Sequence, residues 1–135
     1  KEEITARVAQ SPFRDKFTLT GFRKDIPKIL PCLDVFLITS ETEGLGTSIL
    51  DAFACKVPVV ATRAGGIPEI VRNEETGLIA EVKDAEGLAS QVLRLIGNKA
   101  LRTQFIDNGL TLLSEFSTQA VAAKTLEHYE SVLSS

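Results

Sequence analysis

A doubly wound α/β fold around a parallel sheet is what this sequence predicts, and three observations predict it. Two short runs, Val35-Phe36-Leu37-Ile38 and Val57-Pro58-Val59-Val60-Ala61, are apolar throughout rather than alternating, as strands covered by helices on both faces are. β-rich segments and helical patterns alternate along the chain, the order of a sheet wound with helices on both sides. The length of 135 residues fits one domain, for which about 100–150 residues is typical.

In chain order, Lys1-Glu2-Glu3 leads into polar, helix-like sequence rather than the apolar core of a secretory signal. β-rich segments follow at 17–21, 35–39, 59–62 and 77–80, and helices are expected near 45–55, 67–72, 85–96, 100–114 and 118–133. No internal repeat, low-complexity tract or linker interrupts this order. In such sheets ligands bind beyond the carboxyl ends of the strands, where loops enter helix N-termini. That rule selects three turns: Gly21-Phe22-Arg23, Ser40 to Thr47, and Arg63 to Glu69.

Composition removes several function classes. Hydrophobic residues make up 44% and charged residues 24%, ordinary for a chain with a real core. A formal charge of -3 supplies no basic stripe for a phosphate backbone, so nucleic acid is not the expected partner. Apolar runs fall far short of the roughly 20 residues of a membrane-spanning helix. Cys32 and Cys55 have no second thiol or histidine at metal-ligand spacing, and both are expected as buried, reduced thiols. The single histidine, His128, lies in a polar C-terminal helix and is expected at the surface. Neither a metal site nor a Ser-His-Asp hydrolase is supported.

The second turn carries the chemistry. Ser40-Glu41-Thr42-Glu43-Gly44-Leu45-Gly46-Thr47 sits between an apolar strand and a helix. Two glycines there let the backbone turn sharply and bring amides close to a ligand. Those amides, with the helix dipole behind them, suit a phosphate or diphosphate. On the helix, Ile49, Leu50, Phe53 and Val57 share an inward face, while Thr47, Ser48, Asp51 and Cys55 share another. Asp51 thus lies one turn beyond Thr47, where a carboxylate can accept bonds from hydroxyls such as those of a ribose. The same features also suit a plain helix start, since acids near an N-terminus stabilise a helix by about 0.3–1 kcal/mol.

The segment from Glu43 to Cys55 resembles the acid-x7-acid segment of the group 1 glycosyltransferases (family 4, GT-B fold). Pro58-Val59-Val60-Ala61-Thr62, Gly65-Gly66-Ile67-Pro68-Glu69-Ile70-Val71 and Thr76-Gly77-Leu78-Ile79 are similar to that family's next strand, turn and last strand, in order. Upstream, Leu19-Thr20-Gly21-Phe22 and Leu33-Asp34-Val35-Phe36 extend the likeness over nearly the whole chain. The resemblance implies a Rossmann-like, C-terminal donor-binding domain of a retaining enzyme that takes a nucleoside-diphosphate sugar, UDP- or GDP-linked. It implies no metal and no cofactor, an acceptor that is a growing glycan or a lipid-linked sugar, and a cytoplasmic, membrane-peripheral location. By position, Glu43 holds hydroxyls of the transferred sugar and acts as the catalytic residue. The amides of Gly44, Leu45, Gly46 and Thr47 cradle the diphosphate, Asp51 binds the ribose, and Gly21, Phe22 and Arg23 line the base pocket. Preorganised donors aimed at the charge of a diphosphate leaving group fit this assignment. Gly65, Gly66 and Glu69 are assigned to a tight strand-to-helix turn, a structural role.

Three departures stand out. The family's second acid is normally Glu, here Asp51, and the glycine after its Ala-Cys pair is here Lys56. Two further strands, an Arg/Lys phosphate clamp and an N-terminal acceptor domain have no counterpart in residues 1–135. In the family's strand order, 3-2-1-4-5-6, the absent strands separate 17–21 from 35–39. The chain alone is therefore expected to be inactive and to self-associate or belong with an upstream segment, the alternative being that 17–21 moves beside 35–39. Two other functions stay open: a non-catalytic nucleotide-sugar-binding or assembly module, and a sugar-nucleotide epimerase of the same two-domain fold.

Overall fold

The computed structural model describes residues 2–134. Three strands, β1 (Phe36–Ile38), β2 (Val59–Thr62) and β3 (Leu78–Ala80), form a parallel sheet in the order β1-β2-β3. Phe36 stands opposite Val59, and Val60 opposite Leu78. Helix α3 (Thr47–Ala54) connects β1 to β2, and α4 (Ile67–Ile70) connects β2 to β3. Around them lie α1 (Glu2–Gln10), α2 (Ile26–Ile29), α5 (Ala85–Gly97), α6 (Lys99–Leu113) and α7 (Thr118–Leu133). The expected doubly wound α/β class is the fold observed.

Every residue of β2 and β3 is buried, as strands that are apolar but for Thr62 require. One sheet face places Val59, Ala61 and Ile79 against Ile49, Phe53, Ile67 and Ile70 of α3 and α4. The other places Val60, Leu78 and Ala80 against Leu88 and Leu95 of α5 and Phe105 of α6. Helix α6 serves both faces, because its Leu112 joins the first cluster. Each such large side chain contributes roughly 1.5–3 kcal/mol on burial. Helices α5, α6 and α7 begin where a short polar side chain accepts an amide: Asp84 from Gly87 at 2.8 Å, Asn98 from Leu101 at 3.0 Å, Ser117 from Ala120 at 3.2 Å. Each cap is worth about 1 kcal/mol. Along α7 no residue is buried.

Three expectations are corrected. Segment 17–21 is no strand: its backbone finds no ladder partner among the described residues, and Phe17 and Leu19 are about half exposed. A strand persists only while a neighbour satisfies its amides and carbonyls, and among the described residues β1 pairs with β2 alone. The rearrangement placing 17–21 beside 35–39 is therefore not adopted. Cys32 is exposed, not buried, because it ends a short 3-10 turn (Leu30–Cys32) whose core contribution is Leu30; Cys55 is half-buried. Helix α4 stops two residues earlier than expected. The buried Thr76 hydroxyl donates to the Ile70 carbonyl at 2.8 Å and accepts from the Arg72 amide at 2.9 Å, ending the helix there.

Lys56 takes the place the missing glycine would fill. It follows α3 in the left-handed region, φ 59°. The Val57 amide reaches back to Ala52 O at 2.9 Å and the Lys56 amide to Phe53 O at 2.9 Å. This is the helix stop that normally uses glycine, so the turn survives the substitution.

Candidate functional site

The strands' carboxyl ends carry two turns that grip each other. The first runs from Ser40 to Gly46 and feeds α3; the second is Ala64-Gly65-Gly66 and feeds α4. The Gly66 amide donates to the carbonyls of Glu43 (3.3 Å) and Gly44 (2.9 Å). No side chain fits between them: a Cβ on Gly65 would lie 1.7 Å from Glu43 O, and one on Gly66 2.2 Å from Gly44 O. Gly65 also holds φ +50°. The paired glycines are the contact that places Glu43.

Gly46 sets the direction of α3. At φ 75° it turns the chain in the left-handed region and precedes Thr47, so α3 starts two residues later than position 45. Among the described residues, no backbone carbonyl accepts the amides of Gly44, Leu45, Gly46 or Thr47. Four donors thus collect at a helix N-terminus, where partial positive charge accumulates. Gly44 and Thr47 are exposed, Leu45 half-buried and Gly46 buried.

Glu43 is half-buried beside these donors, and Ser40 Oγ donates to its Oε2 at 3.2 Å. Asp51 is exposed one turn into α3, on the same open face as Thr47 and Ser48, while Ile49, Phe53 and Val57 are buried. At the rim, Lys83 pairs with Glu41 at 3.2 Å and Arg63 with Glu81 at 2.8 Å. Among the described residues, no cluster of three or more metal-type ligands forms.

Gly21, Phe22 and Arg23 are all exposed, Phe22 at 89%. Among the described residues, no hydrogen bond or ion pair links them to the acidic turn; Arg23 instead forks onto Asp25 at 2.8 and 2.5 Å. That guanidinium holds the Asp25 carboxyl below its usual range. Gly21 also borders an open groove of about 660 Å³ shared with Ile4, Thr5 and Thr18 to Thr20. The structure therefore brings Glu43, the glycine amides and Asp51 onto two adjoining elements, and leaves 21–23 on a separate surface loop.

Sequence reasoning missed Thr62. It is 1% exposed, and its Oγ1 donates to Ser40 O at 2.6 Å across 22 residues of sequence. The available signal was a lone hydroxyl ending an otherwise apolar strand.

The sequence model described as "Glycosyl transferases group 1" matches residues 1–98. N-acetyl-alpha-D-glucosaminyl L-malate synthase of Bacillus anthracis is 31% identical over 118 residues, 87% of this chain and 30% of that protein. A lipopolysaccharide core biosynthesis glycosyltransferase of Rhizobium meliloti is 35% identical over 108 residues, covering 79% and 32%. The chain thus spans about a third of the length of these relatives. Among solved structures, the Anabaena protein HepE in complex with UDP aligns at TM-score 0.86 and 25% identity, over 96% of this chain and 36% of that one. The C-terminal domain of a group 1 family glycosyl transferase from Francisella tularensis aligns at TM-score 0.72 and 28% identity, over 87% and 62%.

Proposed function

This chain belongs to the group 1 glycosyl transferases, and from that premise we propose that it binds the nucleoside-diphosphate sugar of a retaining transferase. The observation that carries the reading is the row of open amides from Gly44 to Thr47 at the start of α3, with Glu43 beside it. A diphosphate matches those amides in charge and in hydrogen-bonding capacity. Glu43 engages hydroxyls of the transferred sugar and Asp51 those of the ribose. Gly21, Phe22 and Arg23 face the base once a donor is bound. A UDP complex of the Anabaena relative supports a UDP-linked donor, and a GDP-linked donor would use the same diphosphate contacts.

In the reaction, the bond between the anomeric carbon and the diphosphate oxygen breaks, and its electron pair leaves with the nucleoside diphosphate. A hydroxyl oxygen of the acceptor, a glycan or lipid-linked sugar, bonds to that carbon and passes its proton to the departing diphosphate oxygen. Amides fixed around the leaving diphosphate stabilise the charge that develops there. The same reading takes the reaction as metal- and cofactor-independent and the protein as cytoplasmic and membrane-peripheral.

The test uses the full-length protein. Calorimetry with UDP, GDP and UDP-glucose reads donor binding, and single-sugar transfer reads turnover. Glu43→Gln should lower turnover roughly 100-fold, the scale of losing one preorganised polar contact in a transition state, with an unchanged unfolding midpoint. Full turnover in that variant removes Glu43 from the site. Epimerised free UDP-sugar without an acceptor would favour the epimerase, and nucleotide binding without either reaction the binding module.

A further inference from the structure

We infer that Ser40 and Thr62 are positioning residues that orient the Glu43 carboxylate toward the transferred sugar; this rests on the reading of Glu43 given above. Glu43 is held at both ends. Its carbonyl accepts the Gly66 amide at 3.3 Å, and its Oε2 accepts the Ser40 hydroxyl at 3.2 Å. Ser40 is fixed in turn by Thr62, whose hydroxyl donates to the Ser40 carbonyl at 2.6 Å. Thr62 sits at the end of β2 with 1% exposure, so the series of contacts starts inside the sheet and ends at the site.

A free glutamate side chain has substantial rotamer entropy to lose when it is ordered. The Ser40 bond imposes part of that order during folding, before any sugar arrives, and preorganised groups bind and react with a smaller penalty. Only one carboxylate oxygen is engaged this way; among the described residues, Oε1 has no hydrogen-bond partner. A purely structural role for Thr62, satisfying a buried hydroxyl, would account for the 2.6 Å bond but not for its continuation to Glu43.

The experiment is a double-mutant cycle on the full-length protein, with transfer from UDP-sugar and binding of free UDP as separate readouts. Ser40→Ala should lower kcat/KM about tenfold, the size expected for a hydrogen bond to a charged group. UDP affinity should stay unchanged, because UDP lacks the transferred sugar that Glu43 meets. In a Glu43→Gln background the same change should have no further effect. Thr62→Val should copy Ser40→Ala, and Thr62→Ser, which keeps the hydroxyl, should restore the rate. Losses of Ser40→Ala and Glu43→Gln that simply multiply, or weakened UDP binding by Ser40→Ala, overturn the inference. Wild-type turnover in Glu43→Gln defeats the reading of the site itself. A slow Glu43→Gln beside a fully active Ser40→Ala defeats the positioning role alone, and does so even if Thr62→Val fails to fold.

Discussion

A Cβ built on Gly65 would stand 1.7 Å from the carbonyl oxygen of Glu43. The two turns at the mouth of the sheet are therefore in backbone contact, and the position of one is the position of the other. Gly65→Ala must separate them and also force alanine into φ +50°. We expect a loss of at least about 2 kcal/mol, combining overpacking with left-handed strain, read by denaturant unfolding. Nucleotide binding should weaken in parallel, and an alanine variant of wild-type stability would show that the turns can part freely.

Asp51 lies exposed on the open face of α3 with Thr47 and Ser48, one methylene short of the residue usual in the family. Asp51→Glu should bind donor equally well or up to about tenfold tighter, which is about 1.4 kcal/mol. Calorimetry on the full-length protein measures this directly. Clearly weaker binding would mean that the ribose is held from elsewhere.

Lys56 holds φ 59° at the end of α3, a conformation that costs an L-residue roughly 1–2 kcal/mol. Glycine removes that strain but has more freedom to lose on folding. The expected net gain for Lys56→Gly is about 0.5–1 kcal/mol, seen as a higher denaturant midpoint at unchanged slope. A lower midpoint would be evidence that the lysine stem contributes packing outweighing the strain.

Glu74 pairs with Arg94 at the surface, both side chains nearly half exposed, and that hydrogen bond lowers the Glu74 carboxyl below its usual value. A lowered folded-state pKa gives stability that is present above the ordinary carboxylate range and is lost as pH falls through the folded value. Solvent screening keeps the effect small. Wild type and Arg94→Gln should differ slightly in stability near neutral pH and converge in acid; a gap that widens in acid would reverse the assignment.

What the sequence revealed and what it hid follow from the range of the forces involved. Helix α3 and its glycine turn were legible because Gly46, the inward Ile49 and Phe53, and the outward Asp51 lie within one short stretch and follow one period. The strands β2 and β3 were legible for the same reason, their apolar runs being complete on their own. Segment 17–21 misled because strand formation depends on a partner that no local pattern encodes. The turn 26–32 escaped notice because its two helical pieces are too short to show a period; Pro27 and Pro31 each sit in the first turn of one, where proline is tolerated. The Thr62–Ser40 bond spans 22 residues, and only the folded sheet brings its ends together.

Thr62 closes a strand buried along its whole length, which ties the site to the slowest-opening part of the molecule. Amide protons in the middle of such a strand exchange with solvent only through cooperative unfolding. The donor that anchors the Ser40 carbonyl is then displaced with the strand only in that same rare event. The core-side anchor of the Glu43 turn accordingly follows the global unfolding equilibrium. A remote core lesion, such as truncation of Phe105 on the far face of the sheet, would diminish function by shrinking the folded population while leaving each surviving molecule's site intact.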